Sequence, residues 1–271
     1  MNNLLQNCRE LIDAYKTGKL GQTKMPEDSN PNFSDKEVEM RLAYFTLPMA
    51  LNYQRDSYKL WESSLKTWED LKTRKVFDIA SVSKMSDGEL RNLLSKYKVA
   101  FQPNKHINTW KTISKTIHKE WGSFSNFIKS TDNDFLVLKE LVQNKYKKQF
   151  PYLSGPKIFN YWSFILGEYG KVQMKNREYI EIAPDTHITQ CSVLLGVITK
   201  NETKELSKDQ ISERWRTLLK GSGITPIEMH PPLWFWSRNG FIYKIKKSWV
   251  QVWQDFTRAY NPSSWNRDRL S

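Results

Sequence analysis

Two residues of this chain are of a type, and in a position, to do chemistry, and each opens an apolar helix. Lys157 follows the tight turn Ser154-Gly155-Pro156 and heads the run IFNYWSFIL; Asp185 follows Pro184 and heads THITQCSVLLG, 28 residues later (185 − 157). A cation at a helix N-terminus is opposed by the helix dipole, and apolar neighbours add desolvation. Both effects favour the free amine, the form that attacks an electrophilic carbon. An aspartate at a helix start is held rigidly as an N-cap and can still face a positive charge that develops in a reaction. Each has an ordinary alternative: one solvated lysine among 42 Lys and Arg, and one structural cap. The turn has two readings as well. It is a plain connection, or it leaves backbone N–H groups at a positive helix end that can take up a phosphate.

The elements that must carry these residues read as helices. Leu4, Leu5, Cys8, Leu11, Ile12 and Tyr15 share one face over 2–16, and Gly18 and Gly21 end that helix ahead of a loop over 18–34. Ser34 with Glu37 has the form of a capping box for a helix through Val38, Leu42, Phe45 and Met49, which Pro48 should kink or end. Tyr58, Trp61, Leu65 and Trp68 repeat at helical spacing, and Ser86 starts a helix through Leu90, Leu93 and Leu94. Pro103 opens another through Ile107, Trp110, Ile113 and Ile117, and shorter helices follow near 123–129 and 133–144. Beyond the Asp185 helix come one over 207–220, closed by Gly221-Ser222-Gly223, a Thr225-Pro226 helix start, and a final helix over 244–259 with Ile245, Trp249, Val250, Trp253 and Phe256. No stretch alternates with period two, so the class is mostly α.

Composition bounds the function. The formal charge is +13 (42 Lys and Arg minus 29 Asp and Glu), which points to a polyanionic partner, nucleic acid before an anionic membrane. Two cysteines, Cys8 and Cys191, cannot make a four-thiolate cluster or zinc site. His106, His118, His187 and His230 have no metal-ligand spacing, so no metal or other cofactor is expected. There is no phosphate-binding Walker loop, dinucleotide fingerprint, nucleophile elbow or zinc-protease motif. No apolar run approaches a membrane span and no leader-like start is present, so the expectation is a soluble intracellular protein of cytoplasm, nucleoid or nucleus. With 13% aromatic residues and 11 Trp, the core should be aromatic-rich; Leu233-Trp234-Phe235-Trp236 is either part of it or a stacking platform, and Arg238 and Asn239 directly after it suit the edge of a site. Lys145, Lys147 and Lys148 before the turn, and Lys244, Lys246 and Lys247 late in the chain, are solvated faces or a track for phosphates.

Taken together, a turn, a lysine-headed helix, a polar insert and Pro-Asp-Thr-His before an apolar helix resemble the helix-hairpin-helix DNA glycosylases of the endonuclease III superfamily. APDTHITQCSVLLG is similar to that family's aspartate segment, and FPYLSGPK to its hairpin, without the second glycine of the usual L-P-G-x-G. The insert Glu168–Ile180 and the lack of cluster cysteines are most similar to the archaeal 8-oxoguanine glycosylase branch. RLAYFTLPMALNYQRDSYKLW is similar to its N-terminal helical pair and PPLWFWSR to its late stacking segment. The resemblance covers roughly residues 30–241. It implies a two-lobed architecture with the active site in the cleft between lobes, one lobe from 1–75 plus 200–271 and the other from 76–199. It implies a monomer acting on damaged double-stranded DNA, with Lys157 as the Schiff-base nucleophile and Asp185 stabilising the sugar cation. Base contacts would come from Asn32, Trp61, Tyr161, Pro184, His230 and Trp234, His230 standing where the branch has an acidic residue. The DNA backbone would meet Ser154, Gly155, Lys148 and Arg238. A monofunctional glycosylase for another lesion and a non-catalytic helical nucleic-acid-binding protein are the competing readings.

Overall fold

The structure, a computed structural model, describes residues 2–245. Among these residues it is helical throughout, with a single isolated bridge, Asp134 to Lys175, and no strand, so the mostly-α class holds. No helix among them is long and apolar enough to cross a membrane. The contacts divide the chain into a continuous unit, 24–183, and a second unit that joins 1–23 to the chain from 184 onward. These limits differ from the boundaries expected near 75 and 199. Asp185 belongs with the two chain ends, and Lys157 with everything between them.

The second unit holds α1 (Asn2–Lys16), α10 (Thr186–Leu194), α11 (Glu202–Glu205), α12 (Lys208–Leu219) and α13 (His230–Arg238). α13 packs against both α10 and α1, and Tyr15 stacks on Phe235 with ring centroids 5.9 Å apart. Cys8, Leu11, Ile188, Cys191, Trp215 and Leu233 fill the core. The buried Trp215 indole finds its partner in Ser192, Nε1 donating to Oγ at 2.8 Å. The Ser207–Gln210 capping box opens α12. MHPPLWFWSRNGF, which carries two adjacent prolines, is a helix from His230 on; both prolines fall in the first turn, where no N–H is required. The helix expected over 244–259 lies outside the described residues, apart from Lys244 and Ile245, which are not helical; Lys246 and Lys247 lie outside them too.

The continuous unit holds α2 (Val38–Leu51), α3 (Ser57–Glu69), α4 (Ile79–Lys84), α5 (Asp87–Lys96), α6 (Pro103–Trp121), α7 (Phe124–Ser130), α8 (Phe135–Lys139) running into a wide turn of helix to Lys145, and α9 (Pro156–Glu168). α2 lies at its centre, packed on α3, α6, α7 and α9, and every residue from Arg41 to Leu51 is buried. It runs through Pro48 without ending. Contact on all sides outweighs the roughly 3 kcal/mol that an interior proline costs. Ser34 and Glu37 bond to each other, but one turn ahead of α2 rather than as its cap. Across the unit, the Glu39 carboxylate on α2 accepts the Phe124 and Ser125 N–H groups at 2.8 and 3.0 Å and so caps α7 from another helix. The start of α6 is closed by His106, whose Nδ1 accepts the Phe101 N–H at 3.0 Å.

Candidate active site

In the continuous unit the chain reaches α9 through a short helical turn, Lys147–Gln149, and a left-handed Tyr152, φ +62°. The Ser154 N–H returns to the Phe150 carbonyl at 2.9 Å and the Gly155 N–H to the Tyr152 carbonyl at 3.0 Å, while Gln143 Nε2 donates to the Ser154 carbonyl at 3.0 Å. Gly155 occupies the N-cap position in extended backbone, and a Cβ there would stand 3.2 Å from the Tyr152 carbonyl oxygen. With glycine as the cap and proline next, no side chain of the described residues caps the first turn of α9. Lys157 is exposed and makes no hydrogen bond or ion pair with the described residues. The expectation of an amine packed among apolar neighbours is therefore corrected: those neighbours, Phe159, Trp162 and Ile165, face the core while Lys157 stands on the open side. Lys148 is exposed. A cation that the sequence did not single out, Lys105, lies with its Nζ 5.0 Å from the centre of the Tyr152 ring, beside the turn.

One helical turn after Lys157, Tyr161 is partly exposed and its hydroxyl donates to Glu27 Oε1 at 2.5 Å. Asn32 is exposed. Trp61 is 1% exposed, with its ring centroid 5.9 Å from that of Tyr44 and 5.8 Å from that of Phe45, so the ring is core. The insert after α9 is tied down by Arg177 paired with Glu168 and by Asn160 Oδ1 accepting the Glu181 N–H at 2.9 Å.

In the other unit, Asp185 is the N-cap of α10: its Oδ1 accepts the Ile188 N–H at 2.9 Å. Its Oδ2 takes no hydrogen bond from the described residues, and the side chain is half-buried. Pro184 is buried just before it. The structural role thus uses one oxygen and spares the other. His187, in the same turn, pairs its Nδ1 with Ser237 Oγ at 2.9 Å, and that hydroxyl donates onward to Gln190 Oε1 at 3.0 Å. Trp234 stands edge-on to His187 with centroids 5.7 Å apart, and the Arg238 guanidinium lies 4.7 Å from the centre of the Trp234 ring. Trp234 is half-buried and Arg238 exposed, whereas His230 is buried at the start of α13.

Sequence spacing missed Glu27, Ser237 and Gln190; Glu27 lies in a stretch that reads as loop, and the other two had only their i, i+3 relations to His187 and Trp234 to flag them. Burial pushes the Cys191 thiol well up and the Cys8 thiol up to about 12, so neither is a nucleophile. No known family model matches the chain, and no curated protein is similar to it.

Proposed function

We propose that this protein is a DNA glycosylase with abasic-site lyase activity, acting as a monomer on an oxidised purine, 8-oxoguanine before others, in duplex DNA. In this reading the two units are the two lobes of the helix-hairpin-helix glycosylase architecture, and Lys157 and Asp185 act on one sugar. The flipped nucleotide presents its C1′ to the Lys157 amine. The C1′–N bond forms as the glycosidic bond breaks, the base takes a proton and leaves, and Asp185 Oδ2 stabilises the positive charge on the sugar. The sugar ring then opens to the imine. Loss of a C2′ proton and departure of the 3′ phosphate cut the strand.

One observation carries the reading. Among the described residues, an exposed lysine without a partner heads one helix that lacks a side-chain cap, and an aspartate that caps another keeps an oxygen unspent. The +13 charge and the exposed Lys148, with Lys105 beside the turn, suit a phosphate backbone. Borohydride trapping on 8-oxoguanine duplexes tests it: a covalent adduct is expected with the wild type and none with Lys157→Ala. An adduct that survives that substitution removes Lys157 from its role. The exposure of Lys157 favours one runner-up, a monofunctional enzyme in which Asp185 directs water at C1′. Strand cleavage seen only after alkali, with no trapped adduct, selects it.

A further inference from the structure

The stretch 24–29, ahead of α2, is clasped by four tyrosine hydroxyls. Tyr58 on α3 donates to the Lys24 carbonyl, Tyr44 on α2 to the Ser29 carbonyl, and Tyr169, just past α9, to Asp28 Oδ1, each at 2.8 Å; Tyr161 on α9 donates to Glu27 Oε1 at 2.5 Å. The stretch also braces itself, with Asp28 accepting the Met25 N–H at 2.7 Å and Asn30 donating to the Glu27 carbonyl at 2.8 Å. Within it Glu27 is 1% exposed, and its Oε2 is buried with no hydrogen-bond partner among the described residues. A buried carboxyl with one orphaned oxygen is costly. What it does make is one short bond to the phenol of the residue one turn after Lys157.

We propose that Glu27 is a positioning residue for Tyr161: its Oε1 fixes the hydroxyl, and through it the rotation of the ring that stacks on the extruded base. The inference rests on the function proposed above. Fixing a phenol from its far end holds the ring's face without crowding it, so the ring meets an incoming base already oriented. The titratable groups facing Glu27 are the Tyr161 phenol from α9 and the adjacent Asp28 carboxyl. Burial, ahead of the opposing bond from Tyr161, raises the Glu27 carboxyl from 4.5 to about 7. Above that pH the charge on the orphaned oxygen demands water and loosens the clasp.

The test compares base release from an 8-oxoguanine duplex with borohydride trapping on a duplex that carries an abasic site and hence no base to stack. Tyr161→Phe and Glu27→Ala are each expected to raise KM for base release about tenfold, with kcat little changed and trapping at the abasic site within about twofold of wild type. The double variant should be no worse than either single one, because both remove the same bond. Glu27→Gln, whose amide oxygen accepts the phenol proton, should keep base release near wild type and lose the decline in kcat/KM that wild type shows as pH rises through 7. An unchanged KM in Tyr161→Phe, additive losses in the double variant, or abasic-site trapping that falls as far as base release in Glu27→Ala overturns the inference. If Glu27→Ala does not fold, Tyr161→Phe and Glu27→Gln decide alone. A wild type that neither releases base nor traps overturns the glycosylase reading together with this one. A wild type that does both while the variants match it overturns only the role of Glu27.

Discussion

The starts of α9 and α10 solve the same local problem in opposite ways. Both have a proline beside the cap and both lead apolar helices, yet α10 begins on an aspartate that satisfies the Ile188 N–H, and α9 on a glycine with no side chain to offer its first turn. Most helices here take the first course: Asp56, Asp78, Ser86, Ser123, Asp134 and Ser207 all cap with their own side chains. The bare end of α9 therefore gives up only about a few tenths of a kcal/mol that a serine would supply. An end kept bare beside exposed lysines is open to an anion; an end closed by a carboxylate is open to a cation.

That contrast can be broken by substitution. The largest expected effect is on chemistry: Lys157→Ala should abolish trapping while leaving the melting temperature unchanged, since an exposed side chain with no partner among the described residues contributes little to stability. Asp185→Asn should lower base release about 10²–10³-fold with almost no change in melting, because asparagine caps as well as aspartate. Asp185→Ala should lose activity and also about 1–2 kcal/mol of stability, read in a denaturant melt. If Asp185→Asn retains full activity, α10 begins on a cap and nothing more. At the other end, Gly155→Asp puts a carboxylate where a phosphate would sit. DNA affinity should drop about tenfold and lose part of its salt dependence, measured by anisotropy over a salt series.

The smallest net effect comes from two buried groups of the continuous unit whose pH dependences oppose each other. Glu27, raised from 4.5 to about 7, ionises in the unfolded chain before it does in the folded one. Stability therefore falls as pH rises from 4.5 to 7, by on the order of 3 kcal/mol in all. His106 is lowered by burial from 6.5 to about 4, so the unfolded chain takes up its proton first as pH falls, and stability falls from 6.5 towards 4. The two slopes oppose each other between 4.5 and 6.5. Glu27→Gln should unmask the His106 slope as a melting temperature that drops steadily with acid over that range.

How much of this was legible depended on the reach of each interaction. Ser86, Ser207 and Asp185 cap within three residues, so their helix starts could be read directly. Pro48 did not end its helix because the cost of an interior proline depends on context, and the surrounding packing offsets it. Glu27 gave no local signal, since its partner Tyr161 lies 134 residues away, and the same holds for His187 and Ser237, 50 residues apart. Trp61 shows the limit of a resemblance: helical spacing gave it an inward face, and its ring lies in the core. Lys157 was legible as the head of a helix, but which side of the helix it faced was not.

The division of the chain has a consequence for its synthesis. The unit spanning 24–183 is continuous and can be completed as soon as its last residues leave the ribosome, whereas α1 cannot bury Cys8, Leu11 and Ala14 against α13 until residue 238 has been made. Some 220 residues (238 − 16) separate the two helices, which at ~5–20 residues per second is a wait of roughly 10–45 s. During that wait the apolar face of the first helix lacks the partner that covers it in the fold, and the helix bearing Trp234 supplies it.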